Sequence, residues 1–153
     1  MFEENAPAQN SSGTDVQDSP TPWVADHIKR YVDSDGADGH NWRGVPTLLL
    51  TTTGRKSGVR RRSALIYGHD GERVLVVASK GGDDNAPAWY LNLVADPLVR
   101  VQIAAEEFAA RAHTAGSVEK PALWATMAAI WPDYDDYQAK TGREIPIVVL
   151  ERV

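Results

Sequence analysis

The chain contains no cysteine. Disulfides, thiolate metal sites and cysteine nucleophiles are thereby excluded, while the redox compartment stays open. It also lacks a long apolar run, since none approaches the ~20 residues that a bilayer-spanning helix needs. Excess positive charge is missing too. Sixteen Lys+Arg against 21 Asp+Glu leave a net charge of −5, which speaks against bulk electrostatic binding of DNA or RNA. The histidines His27, His40, His69 and His113 are dispersed without ligand spacing, so no metal site is expected. The first 20 residues have neither a basic start nor an apolar stretch, unlike a secretory signal, and a cytoplasmic location is the default expectation.

What is there suits one globular core: 153 residues, 42% hydrophobic and 24% charged. Residues 1–20, rich in Ser, Asn, Gln, Asp and Pro, read as a disordered tail, with a single domain over 21–153. Pro22 opens a helix through Tyr31, with Trp23, Ile28 and Tyr31 as its candidate buried positions. Val45 to Thr53 reads as a strand, Gly54 to Gly58 as a turn, and Arg61 to Gly68 as the next strand. A hairpin turn at His69 to Glu72 leads to a strand over Arg73 to Ser79. A helix capped by Asn85 carries "PAWYLNLVAD". A hairpin over Leu98–Ala104 and Phe108–Ala115 follows, then a helix to Ile130, an aromatic segment "WPDYDDYQAK" and a closing strand in "EIPIVVLERV". Hairpin-length links imply antiparallel pairing. The expected fold is α+β, with about six strands curling toward a small barrel and three or four helices.

One stretch runs against the acidic total. In "TTTGRKSGVRRRSALIYG", Arg55, Lys56, Arg60, Arg61 and Arg62 put five cations into eight residues. A P-loop is excluded because Arg55 stands where that motif needs glycine, and no Gly-x-Gly-x-x-Gly follows a strand. Gly54 and Gly58 instead let turn amides converge on an anion, with guanidinium forks beside them. A solvated hairpin tip is the bland alternative, but such like-charge crowding calls for a counter-anion. "ASKGG" offers a hydroxyl, an ammonium and flexible backbone at a strand exit. Trp89 shares a helical face with Leu93, which favours core packing, and Tyr134 and Tyr137 stand three apart on one helical turn.

Together, T-x-x-G-R-K-S-G, A-S-K-G-G, P-x-W-Y-x-N-L and the terminal "WPDYDDYQAKTGREIPIVVLE" make the chain resemble the deazaflavin-dependent nitroreductase family of actinobacteria, over about residues 45 to 150. The resemblance implies a split β-barrel and coenzyme F420, a deazaflavin with a phosphate and oligoglutamate tail. It places that tail on Arg55, Lys56 and Arg61, with Arg60 and Arg62 in support, and gives the phosphate the amides of Gly54 to Gly58, Ser57 among them. Ala78, Ser79, Lys80 and Gly81 would line the deazaflavin ring. Ile66, Trp89, Tyr134 and Tyr137 would shape the acceptor pocket. The implied reaction is hydride transfer from the reduced ring to an electron-poor acceptor, with Tyr134, Tyr137, Ser79 or water supplying the proton.

One departure bears on the acceptor. Members that reduce bulky nitroimidazoles carry Pro-Leu-Tyr after the basic turn, whereas this chain has Ala64-Leu65-Ile66. Tyr67 should face away from Ile66, because side chains alternate along a strand, and so does not replace that tyrosine. Quinones or α,β-unsaturated carbonyls are therefore the expected acceptors. Three alternatives stand beside this one: an FMN-dependent reductase on the same barrel, a non-catalytic F420 carrier, and a small nucleic-acid-binding barrel, which lacks a stacking platform. The expected partner is thus a small-molecule acceptor, with no nucleic acid and no stable membrane anchor. Transient membrane contact and the oligomeric state stay open.

Overall fold

The computed structural model describes residues 16–153. Its strands are β1 (Val16–Asp18), β2 (Asn41–Trp42), β3 (Val45–Thr53), β4 (Arg60–Ile66), β5 (Gly68–Asp70), β6 (Arg73–Val77), β7 (Leu98–Ile103), β8 (Glu106–Thr114) and β9 (Ile147–Arg152). The helices are α1 (Pro22–Asp33), α2 (Ala88–Ala95), α3 (Lys120–Ile130) and α4 (Asp133–Lys140). Six strands have five or more residues, as expected, and β1, β2 and β5 are additions of two or three. The sheet order is β1-β4-β3-β7-β8-β9-β6-β5, with β2 on β3. Only the β1–β4 pairing is parallel among the described residues.

Alternation along the strands sorts the side chains into an interior and two covered outer faces. Leu48, Leu50, Val74, Val76, Val99, Val101, Phe108, Ala110, Val148 and Leu150 meet in one cluster, so five strands curl around it. On the outside, Leu75, Val77, Ile147 and Val149 pack under Leu123 and Met127 of α3 and Tyr134 of α4. β9 is therefore buried on both faces, which is why Ile147–Leu150 is an unbroken apolar run. Ile28 and Tyr31 of α1 cover Leu49 on the outer face of β3.

The strand expected over Arg61 to Gly68 breaks at its end. The Tyr67 amide still donates to the Pro46 carbonyl at 3.2 Å, but Gly68–Asp70 leaves β3 and pairs with β6. Tyr67 is buried, and its hydroxyl lies 2.9 Å from His40 Nε2. A Cβ on Gly68 would lie 2.7 Å from Met127 Sδ and 2.8 Å from Ile130 Cδ1, so α3 packs its side-chain tips directly on this glycine. As a result β4 and β6, separated in the chain by the short β5, approach without hydrogen bonding. The fold is a split β-barrel, open along that seam.

Three local expectations are corrected. Of the tail expected over 1–20, residues 1–15 lie outside the described residues, while Val16–Asp18 form β1 beside Arg60–Arg62. Asn85 does not cap α2; its amide bonds Asp83 Oδ1, and Pro87 is the N-cap. "DYDDYQAK" is a full helix, with three aspartates in the first turn favourable to its dipole. No helix among the described residues is long and apolar enough to cross a membrane.

Tyr31 ties α1 to the sheet. Its hydroxyl donates to the Thr47 carbonyl at 2.9 Å and accepts the Ala104 amide at 2.8 Å. Tyr31→Phe leaves both backbone groups without that partner and is expected to lower stability by about 1–3 kcal/mol, read by thermal or urea unfolding. An unchanged midpoint would show that water replaces the hydroxyl.

Candidate active site

The open seam is a cleft of about 500 Å³. Ser63 to Ile66 of β4 form one wall, and Val77, Ser79, Lys80 and Gly81, at and beyond the end of β6, form another. Trp89 of α2, Trp131, and Tyr134 and Tyr137 of α4 contribute rings, and Ser19, Thr21, Trp23, Val24 and His27 close it from the N-terminal side. β1 pairs with β4 only over Arg60–Arg62. The outer edge from Ser63 to Ile66 is thus unpaired and offers backbone donors and acceptors to a ligand.

The loop after β6 is strained and clamped. Lys80 has φ +47°, followed by Gly81 at +62° and Gly82 at +83°. A left-handed lysine persists only where surrounding contacts fix it. Arg143 supplies them: Nε donates to the Asp83 carbonyl at 2.8 Å, and Nη2 donates to the carbonyls of Ser79 at 2.8 Å and Ala78 at 3.2 Å. Gly82 lets α4 approach, since a Cβ there would lie 2.9 Å from the Tyr137 carbonyl oxygen. The Ser79 side chain makes no capping bond to this turn, although the residue is buried. Ala78, expected at the ring, is fully buried and absent from the cleft wall. Strand alternation turns Val77 and Ser79 toward the cleft and Ala78 away.

Both tyrosines lie on the wall, edge to face with centroids 6.1 Å apart. Burial, with Tyr137 beside it, pushes the Tyr134 phenol well above its ordinary pKa, so it stays protonated. Tyr137 Oη accepts Trp131 Nε1 at 3.4 Å. Trp89 both packs on the interior cluster and faces the cleft. Ile66 faces the cleft and Tyr67 the interior, as alternation requires.

The basic turn lies outside the cleft wall, at the start of β4. At ~3.3 Å per residue, Arg60 is about 10 Å from the nearest β4 wall residue, Ser63. The turn is closed on itself: Gly54 N–H donates to the Val59 carbonyl at 2.7 Å and Gly58 N–H to the Gly54 carbonyl at 2.9 Å. The Arg55 amide and Nη1 both bond Asn92 Oδ1, at 3.1 and 2.9 Å. Three of the five amides expected on a phosphate are thus used internally, leaving those of Lys56 and Ser57 without an intramolecular partner among the described residues. Arg62 pairs with Asp18 at 2.7 Å and Arg61 bonds the neutral Gln17 amide at 3.0 Å. Arg62 is therefore neutralised within the chain, whereas Arg61 keeps its charge.

Sequence reasoning missed three residues. Arg143 carries no motif of its own. Asn92, the asparagine of "PAWYLNL", anchors the basic turn to α2 and also donates to Thr52 Oγ1 at 3.3 Å. His27 is 5% exposed on the cleft wall, and its Nε2 has no hydrogen-bond partner among the described residues. Its position on the buried stripe with Ile28 and Tyr31 was the available signal.

A family model described as F420H(2)-dependent quinone reductase matches residues 23–152. The chain belongs to that family. A Mycobacterium tuberculosis protein named F420H(2)-dependent quinone reductase is 38% identical over 130 residues, covering 82% of this chain and 87% of that protein. A solved F420-H2 dependent reductase is 37% identical with a TM-score of 0.65, covering 69% of this chain and 94% of its own. A solved domain-swapped dimer is 36% identical with a TM-score of 0.68, covering 87% of this chain and all of its own. Membership makes this chain an F420-dependent oxidoreductase that uses the reduced deazaflavin. The cleft fits that cofactor: an unpaired strand edge and an unbonded serine suit a ring system, and cations at the head of β4 suit an anionic tail.

Two outcomes test this geometry. Arg143→Ala removes three charge-assisted bonds and is expected to cost about 2–4 kcal/mol while raising hydrogen exchange at Lys80–Asp83; exchange matching wild type would show that α4 alone holds the loop. Burial, the larger cause, and Arg30 lower the His27 pKa from 6.5. Its native state therefore binds fewer protons than the unfolded chain, and the stability this contributes, present above pH 6.5, is lost as pH falls through the folded pKa. Urea titrations of wild type and His27→Phe from pH 7.5 to 5 should show the steeper loss in wild type; parallel curves would count against it.

Proposed function

We propose that this F420-dependent oxidoreductase reduces a planar quinone in preference to a nitroaromatic, with enones as secondary acceptors. The observation that supports it is the cleft itself: aromatic and aliphatic walls that include the hydroxyl-bearing residues Ser79, Tyr134 and Tyr137. A quinone is flat, apolar over its faces, and carries two carbonyl oxygens that accept from hydroxyls. Ser63 to Ile66 and Ser79 to Gly81 would hold the cofactor's ring, and Lys56, Arg60 and Arg61 its anionic tail. When bound, the reduced deazaflavin supplies a hydride. The chain's own part is to stack the acceptor, exclude water and hold donors at the oxygen where negative charge develops. Tyr134, kept protonated by burial, donates there without ionising, and the proton that completes the hydroquinone comes through Ser79, Tyr137 or water. Ile66 leaves an aliphatic surface, with no further hydroxyl for a nitro group.

The test is anaerobic oxidation of reduced F420 with a naphthoquinone, an enone and a nitroimidazole. It runs beside binding titrations of oxidised F420 and FMN on wild type, Lys56→Ala and Arg61→Ala. Quinone turnover at least tenfold above nitroimidazole is expected. Each substitution should weaken F420 binding about five- to thirtyfold, the range of one lost charge-assisted contact, and FMN should not bind. Nitroimidazole reduction without quinone or enone turnover would overturn the acceptor assignment. Tight F420 binding without any turnover would make the protein a carrier.

A further inference from the structure

Five aromatic residues run in an unbroken row along the cleft wall and out to its mouth. Tyr134 and Tyr137 stand 6.1 Å apart between centroids, and Trp131 Nε1 donates to Tyr137 Oη at 3.4 Å. Trp131 lies 5.5 Å from Trp42, and Trp42 lies 6.1 Å from Trp23 with ring planes only 16° apart. All five line the cleft. Tyr134 is buried, Tyr137, Trp131 and Trp42 are half-buried, and Trp23 is 60% exposed. The inner rings are phenols, while the outer ones are indoles, apolar over their faces. Trp23 and Trp42 belong to none of the buried clusters, so core packing does not account for them. Trp42 is nevertheless fixed in place. It pairs with Val45 across a two-residue turn in which Arg43 and Gly44 have φ +51° and +83°, and Asn41 Oδ1 accepts the Gly44 amide at 3.2 Å. Arg43 lies over its ring, 4.8 Å from the centroid.

We propose that Trp131, Trp42 and Trp23 form the outer half of the acceptor site and take an apolar side chain carried by the quinone, so that the protein selects alkyl-substituted rings over bare ones. The quinone in this statement rests on the quinone-reductase reading; the subsite for an apolar arm does not. Continuity with the cleft decides what covers the row. A ring beside Tyr134 and Tyr137 sends its substituent toward Trp131, and the next surfaces outward are Trp42 and Trp23. Covering those indoles with a chain removes apolar surface from water on both partners. A bilayer is the other occupant that exposed indoles suit, but α1 carries the wrong charges for it. Lys29 pairs with Asp33, and Arg30 with Asp26 and Asp38, so both cations of the helix bearing Trp23 are paired within the chain.

Non-redox probes separate the two readings. Equilibrium dialysis compares 2-methyl- and 2-pentyl-1,4-dimethoxynaphthalene, a pair differing only in the length of the apolar arm. The full chain is titrated as wild type, Trp42→Ala, Trp42→Phe and Trp23→Ala, with and without F420. Wild type should bind the pentyl compound about tenfold or more tightly than the methyl compound, the gain when roughly half of the added methylenes leave water. Trp42→Ala and Trp23→Ala should each cut that ratio about threefold or more, and Trp42→Phe should restore part of it. Trp23→Ala, at an exposed position, serves alone if Trp42→Ala does not fold. No preference for the pentyl arm in wild type, or a ratio unchanged in both alanine variants, would overturn the proposal. Cosedimentation with phosphatidylcholine–phosphatidylglycerol vesicles is the remaining arm. Vesicle binding lost in the alanine variants, with the pentyl-to-methyl ratio intact, would make the row a membrane contact and overturn the subsite. Turnover of 1,4-naphthoquinone is scored separately. A ratio that falls in the variants without turnover in wild type upholds the subsite and removes the quinone-reductase reading, and turnover with an indifferent ratio does the reverse.

Discussion

The corner at Tyr67 and Gly68 is the constraint on which the cleft depends. If β4 ran on into a hairpin with β6, the sheet would close along that edge and no ligand could lie between them. Two side chains and one missing side chain prevent it. The Tyr67 ring is buried in the interior cluster, and its hydroxyl is held by His40. Gly68 admits the side-chain tips of Met127 and Ile130, which a Cβ would force to shift. The chain must therefore turn outward under α3 and pair with β6 from its far side. The free edge of β4 is the other face of the same event. An edge strand with unpaired N–H and C=O groups is a liability in a soluble protein; here its first part is covered by β1 and the remainder faces a cleft.

The cluster of cations follows a related logic of partial satisfaction. Five positive charges in eight residues would repel one another, yet the chain relieves only part of this. Asp18 neutralises Arg62, both side chains being largely shielded from water, while Arg61 meets an amide that leaves its charge intact. Asn92 holds Arg55 by backbone and side chain together, which fixes the turn's shape. Rigidity and residual charge are thus provided by different residues. The turn serves less as an amide nest than its glycines suggest, because Gly54 and Gly58 use their N–H groups to close it. Gly54 relieves crowding instead: a Cβ there would lie 3.0 Å from the Val59 carbonyl oxygen and 2.7 Å from Ser57 Oγ.

Much of this was legible from local pattern. β3 was readable residue for residue, because an apolar and threonine-rich run, with Pro46 near its start, ends in a glycine turn. Ser79, Lys80, Gly81, Trp89, Tyr134 and Tyr137, singled out from short motifs, all line one cleft. What local pattern could not carry was pairing and partnership. The strand break at Tyr67 is decided by α3, some 60 residues away, and β1 is held by an ion pair to β4 that no window of sequence contains. Arg143 acts on a loop 60 residues earlier, and nothing around it marks a clamp. Ala78 stands apart from its neighbours: strand alternation runs on past Val77, so Val77 and Ser79 line the cleft while Ala78 is buried behind them.

Strain and order at the cleft belong together. Lys80 sits in a conformation costing on the order of 1 kcal/mol or more, next to two left-handed glycines, and a free loop would relax out of it. The Arg143 guanidinium gathers three carbonyls of that loop, and Gly82 lets the helix bearing Tyr134 and Tyr137 press against it. The surface that would support a ring and the phenols that face it are therefore one mechanical unit. Ordering them in advance leaves less entropy to be lost when a flat acceptor enters, and the cost is carried by folding rather than by binding. On this argument the clamp and the corner act on different quantities. Tyr67 and Gly68 decide whether a cleft exists, and Arg143 decides how closely its walls hold their spacing.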